Sequence, residues 1–301
     1  MLSEWVARTN PTAIMVDVSA EITQYLRFLG VPVIAVRQHG DRTDFPHLAG
    51  YDAAYKLFAP YPQILECSST PSWIQAKTIY SSGFSRYSQR ILSKSTAREQ
   101  LDISPQQQVV LVLNGKGGGK YSLARIAQAA AVTPDWLWIV VGTIQRDYDL
   151  MPKNVLAEGW CHDTYVYLKA TDIAIASGGH NTVMEIGTAK IPFVCIPEPR
   201  PFDEQEIKAR RLQDLGLCIV QESFPGSNAI RNIFYKLREL DTTKWDKVMA
   251  FDGAAEAAKA IESEVKLLDK YLTLVSSQEK CQPTFTPQSR LSRPKGVYRS
   301  Q

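Results

Sequence analysis

The sequence has no apolar run near the roughly 18 residues that a membrane-spanning helix requires. Its first residues, MLSEWVARTNP, lack the basic flank and apolar stretch of a signal peptide. There is no C-x-x-C pair. The five cysteines, Cys67, Cys161, Cys195, Cys218 and Cys281, are odd in number and widely scattered. That argues against a disulfide scaffold or a zinc ribbon and makes a reducing cytosol the expectation. No internal repeat is visible. Charge of one sign is also scarce, with a net charge of +3. The segment 276–301 holds Lys280, Arg290, Arg293, Lys295 and Arg299 against Glu279 alone, a surplus of four that leaves residues 1–275 at −1. Basicity belongs to a Ser-, Gln- and Pro-rich tail, which reads as disordered, and is no argument for nucleic acid. What is present is ordinary globular material. Over 301 residues, 45% hydrophobic and 22% charged content supplies a sizeable core and about two domains. Collagen, coiled coil and wholesale disorder are excluded.

Hydrophobic patterning alternates strand and helix. Ala13–Val18 and Val31–Val36 read as buried strands flanking a helix at Ala20–Leu29. Residues 37–75 read as irregular apart from the strand Lys56–Ala59, with Ile79–Phe84 closing this part and a short helix at Ser95–Asp102. A regular alternation then begins: strand Val109–Leu113, helix Leu123–Ala131, strands Leu137–Val141 and Val155–Ala157, and helix Thr164–Ala170. Strand Asp172–Ala176, helix Asn181–Ala189, strand Phe193–Ile196, helix Glu204–Leu215 and strand Leu217–Val220 follow, with closing helices within 228–239 and 253–272. This is an α/β pattern that implies parallel sheets covered on both faces. We place domains at 1–105 and 106–275, with a basic tail at 276–301.

Ligands of such sheets bind at the carboxyl ends of the strands, and three segments there are unusual. Asn114 to Lys120 (NGKGGGK) is a glycine loop between strand and helix. It fails as a Walker loop, with Asn114 at the first glycine position and Tyr121 at the final hydroxyl position. Its glycines either let backbone amides approach an anion or form a plain turn. In the second segment, Ser177-Gly178-Gly179 leads into a helix opening at His180–Thr182. Its amides could hold a diphosphate, with Ser177, Asn181 and Thr182 adding donors and Glu185 accepting from ribose hydroxyls. Thr182-x-x-Glu185 is equally a capping box. In the third, Asp203 and Gln205 begin a helix, where they bind sugar hydroxyls or, in the case of Asp203, cap the helix.

Together these segments resemble the C-terminal, donor-binding domain of nucleotide-sugar glycosyltransferases of the GT-B fold. The resemblance is to the branch of the transferase that adds N-acetylglucosamine to a lipid-linked cell-wall precursor. The related plant signature H-C-G-W-N-S-x-x-E followed by D-Q is matched in register by Ser177-Gly178-Gly179-His180-Asn181-Thr182-x-x-Glu185 and Asp203-x-Gln205. It covers roughly residues 108–260, and 10–60 more loosely. It implies two Rossmann-like domains, the N-terminal one incomplete. By the same resemblance Gly117 and Gly118 belong to the glycine loop. Ser177, Gly179, Asn181 and Thr182 hold the donor diphosphate, with Gly178 and His180 also among the donor-binding residues, Glu185 holds the ribose, and Gln205, with Asp203, holds the sugar. Gly159-Trp160-Cys161 would border the base. Ser177 replaces the signature's His, and Asp203-Glu204-Gln205 replaces adjacent Asp-Gln.

The N-terminal half departs further, since its first strand resembles the fourth or so of the family's. Asp17 stands where relatives place an aspartate that orients a catalytic His, yet no His precedes His39. Asp17 is therefore either an acceptor-side catalytic group or a cap of the following helix. The resulting expectation is an inverting, metal-independent transferase using a UDP-linked sugar and no cofactor, cytoplasmic or peripheral to a membrane. Its acceptor is an unknown hydroxyl compound. The alternatives are a donor-binding component that needs a partner subunit for the N-terminal half, or a same-fold sugar-nucleotide epimerase.

Overall fold

The computed structural model describes residues 1–115, 121–145 and 151–279. Two parallel sheets organise it. The N-terminal sheet runs in the order β1 (Ile14–Asp17), β2 (Val33–Val36), β3 (Lys56–Ala59), β4 (Thr78–Tyr80). The C-terminal sheet comprises β5 (Gln108–Asn114), β6 (Trp136–Gly142), β7 (Val155–Gly159), β8 (Ile173–Ser177), β9 (Phe193–Ile196) and β10 (Ile219–Val220). Its spatial order is β10-β9-β8-β5-β6-β7, with every pair parallel. The chain builds outward from β5 to β7, then returns and builds the other way from β8. The switch point between β5 and β8 opens a crevice at their carboxyl ends.

The apolar runs explain the strands. Val110, Val112, Trp138, Val140, Ile173 and Ile175 face α6 (Leu123–Ala131) and α10 (Ser227–Arg238). Leu111, Leu113, Ile139, Val141, Ala174 and Ala176 face α7 (Tyr165–Ala170), α8 (His180–Ala189) and α9 (Glu204–Asp214). Each fully buried Val, Leu or Ile contributes roughly 1.5–3 kcal/mol relative to an exposed one. Tyr61 and Leu65, which follow β3, belong to this second core, so the two sheets are joined through packed apolar surface.

One face of the N-terminal sheet packs against α1 (Leu2–Thr9), α2 (Ala20–Phe28), α3 (Phe45–Ala53) and α4 (Ser72–Lys77) through Val6, Leu26, Tyr51 and Ile74. The other face is covered by the last described helix. Ala257, Ile261 and Val265 of α11 (Gly253–Glu279) pack on Ile34 and Phe58, with Glu264 3.5 Å from the Lys56 ammonium. Among the described residues no helix is long and apolar enough to cross a membrane.

Residues 37–75 differ from the irregular segment expected. They hold α3, a 3-10 turn at Gln63–Leu65 and α4. The prolines there start helices rather than break them: Asp44 caps α3, accepting from the His47 amide, with Pro46 in the first turn, and Pro71 precedes α4. The strand expected at Leu217 begins at Ile219, because the Leu217 amide still donates to Leu212 and closes α9. α11 continues through Ser276 to Glu279; the remainder of the basic segment, from Lys280, lies outside the described residues.

Candidate functional site

A cleft of about 540 Å³ opens at the carboxyl ends of β5 and β6, beside the switch point. Asn114 and Gly115 form its floor, Trp160 and Cys161 one wall, and Asn181, Thr182 and Glu185 of α8 the other. Asn114 is buried and directed: its Nδ2 donates to the Thr143 carbonyl, while its Oδ1 has no partner among the described residues. Gly117 and Gly118 lie outside the described residues.

The segment linking the two sheets supplies the remaining wall through Ser85 and Arg86. Arg86 Nε donates to Glu185 Oε1 at 2.9 Å, and its Nη1 donates to the His162 carbonyl at 2.9 Å. Thr164 Oγ1 donates to the other Glu185 oxygen at 3.3 Å. Burial raises the Glu185 carboxyl above its ordinary value, with Arg86 and Thr164 opposing that shift. Glu185 is thus held in the cleft by two groups that the linear sequence does not associate with it. Nor does it form a capping box with Thr182. α8 starts one residue earlier than expected, with Gly179 at its N-cap and no side-chain cap, which places Glu185 deeper in the helix than the third position a box requires.

The N-terminus of α8 meets the start of α9. Gln205 is 4% exposed and its Oε1 accepts from the Glu198 amide at 3.0 Å. A Cβ on Gly178 would stand 3.2 Å from Gln205 Cβ, so a side chain there would force a shift. Gly179 is close to Ser177 Oγ, Gln205 Nε2 and Thr182 Oγ1. Ser177, Gly178, Gly179, Thr182 and Gln205 therefore form one cluster at the helix mouth. Asp203 occupies the N-cap of α9 but in the left-handed region, with φ 50° and no side-chain cap bond, so it does not cap that helix. Asp17 ends β1 exposed to solvent, and α2 is capped by Ser19, whose Oγ accepts from the Ile22 amide, rather than by Asp17.

The carboxyl edge of the N-terminal sheet closes against α9. The Asp41 amide donates to the Phe202 carbonyl at 2.8 Å, and the Arg42 guanidinium lies 4.7 Å over the Phe202 ring. Gly40, at φ +112°, lets the loop pass so closely that a Cβ would be 2.7 Å from that carbonyl. Behind this contact sit His39, stacked on Tyr61 at 3.8 Å, and Lys208 of α9, both buried. Burial and then Lys208 push His180 down to about 4. Burial, Lys208, His180 and Arg37 hold His39 well below the usual range. Burial lowers Lys208 to about 8 against the pull of Glu204.

Residues 153–265 match the model of the glycosyltransferase family 28 C-terminal domain. An uncharacterized glycosyltransferase of Methanosarcina acetivorans is 28% identical over 181 residues, 57% of this chain and 46% of the relative. The UDP-N-acetylglucosamine--N-acetylmuramyl-(pentapeptide) pyrophosphoryl-undecaprenol N-acetylglucosamine transferase of Bacillus licheniformis is 29% identical over 119 residues, 38% of this chain and 32% of that enzyme. The chain matches less than half the length of these relatives. Among solved structures, the kitacinnamycin glycosyltransferase aligns over 88% of this chain and 78% of its own, with TM-score 0.65 and 15% identity. Acinetobacter baumannii MurG aligns over 89% and 76%, with TM-score 0.57 and 17% identity. Arabidopsis thaliana UGT89C1 complexed with UDP-L-rhamnose aligns over 89% and 76%, with TM-score 0.65 and 15% identity. The chain has the GT-B fold, and its residues 153–265 are similar to the glycosyltransferase family 28 C-terminal domain.

Proposed function

We propose that the chain is a glycosyltransferase that binds a UDP-linked sugar in the cleft beside the switch point and passes the sugar to a hydroxyl acceptor with inversion. One observation carries this reading: Asn181, Thr182 and Glu185 of the signature segment line a single cleft together with Asn114 and Trp160. The amides at the α8 N-terminus receive the diphosphate, where the helix dipole favours negative charge. Ser177, Gly178, Gly179 and His180 surround it, and Thr182 and Asn181 add donors. Glu185 takes the ribose hydroxyls, Trp160 offers an apolar face to the base, and Gln205 with Asp203 takes the sugar.

The reaction follows from that placement. An acceptor hydroxyl attacks the anomeric carbon from the side opposite the diphosphate, the bond to the leaving oxygen breaks, and charge grows on the UDP. Preorganised amides and the neighbouring Arg86 guanidinium stabilise that charge most in the transition state. Asp17, at the carboxyl end of β1, is the proposed acceptor-side carboxylate and takes the proton that the acceptor hydroxyl loses. UDP-bound neighbours of the same fold support the donor class. Isothermal titration of the folded chain with UDP and a panel of UDP-sugars tests the reading. Micromolar to submillimolar binding of UDP is expected, and no binding of any member overturns it.

A further inference from the structure

The seam between the sheets holds two polar groups, Lys208 and His39, that this reaction does not use. Lys208 is 0% exposed, yet its Nζ makes no hydrogen bond among the described residues. Its ion-pair partner is Glu204 Oε1 at 3.7 Å, beyond hydrogen-bond reach, and the same carboxylate lies 3.8 Å from Arg42. From the other side of the seam His39, 5% exposed, presents an Nε2 that is also unpartnered among the described residues. His180, the first residue of α8 and the most solvent-accessible of the three, acts on His39 and is itself acted on by Lys208. Arg37, by contrast, is matched by Glu66 at 2.8 Å. Two fixed cations, Lys208 and Arg42, thus share one carboxylate. A buried ammonium without hydrogen bonds is costly.

Resting on the reading of the cleft as a nucleotide-sugar site, we propose that Lys208, His39 and His180 form an anion-recognition subsite. It takes a carboxylate carried on the donor sugar, so that nucleotide-linked uronic acids are the preferred donor class. The placement selects the sugar rather than the diphosphate: Lys208 lies on α9 about one turn beyond Gln205, a residue assigned to the sugar. A neutral hexose offers Lys208 only hydroxyls. A carboxylate supplies charge-assisted bonds and balances the second cation.

The test is titration of the full chain with UDP-glucose, UDP-glucuronate and UDP alone. The uronic acid donor is expected to bind about tenfold tighter than the neutral one. That ratio should fall to about one or below in Lys208→Met, which removes the charge with little change in volume, and should persist in Lys208→Arg. His39→Gln, which is independent of how Lys208→Met folds, should lower the ratio in part. A ratio near one in the unmodified chain, with UDP still bound, overturns the subsite and leaves the donor reading standing. An unchanged preference in both Lys208→Met and His39→Gln does the same. Failure to bind UDP or either sugar overturns both.

Discussion

Glu185 and Arg86 stand 99 positions apart in the chain and 2.9 Å apart in the cleft. Their pairing keeps a half-buried carboxylate occupied, and in the proposed reading ribose hydroxyls replace the guanidinium. Glu185→Gln should therefore weaken UDP binding about tenfold by calorimetry, because an amide can neither hold Arg86 by charge nor accept equally from two hydroxyls. Arg86 was not legible in the sequence. It sits in a stretch with no motif, and only the tertiary fold brings it to α8. Lys208 was equally hidden, since EQEIKARR reads as a solvated helix face. His180 gives a prediction in pH. It titrates near 4 in the folded chain and near 6.5 when unfolded. Between these values the unfolded state binds more protons, so stability falls as pH drops from about 6.5 towards 4. In His180→Gln the slope of Tm against pH across that window should be shallower.

At the scale of elements, α8 serves two masters. Its N-terminus faces the cleft, and its middle is pressed on the 3-10 helix Thr242–Lys247 through Trp245. Gly187 permits this approach: a Cβ there would stand 2.6 Å from Trp245 Cε3. Gly187→Ala should cost about 1–3 kcal/mol by overpacking, read as a fall in Tm, and should weaken UDP binding as the helix is displaced. Elements with uninterrupted apolar runs, such as VVLVL at β5 and FVCI at β9, were legible because a strand buried on both faces needs nothing else. The helix FPHLAGYDA was not, because it carries no apolar periodicity and its proline resembles a breaker. The cluster at the mouth of α8 was legible because it is nearly local: all of its members but Gln205 fall within Ser177–Thr182. What the sequence left open was whether Thr182 and Glu185 cap the helix or face a ligand. Geometry removes the capping role, since the helix begins too early for it.

At the scale of the molecule, the two sheets are held in one arrangement by three contacts of different kinds. The apolar core reaches across through Tyr61 and Leu65, the loop at Gly40 grips Phe202, and α11 returns to cover the N-terminal sheet. Ala257→Arg places a charge against Ile34 and Phe58, which should cost at least about 2 kcal/mol. Hydrogen exchange should accelerate in β2 and β3 while β5, β8 and β9 keep their protection. The last of these contacts also sets an order of events during synthesis. Tyr55 and Glu264, hydrogen-bonded across it, are 209 positions apart. On the ribosome the N-terminal sheet emerges before α11 and keeps one greasy face bare until that helix has been translated. The half that is made first must therefore finish last, exposed to chaperones for the whole interval, and the C-terminal half matures before it.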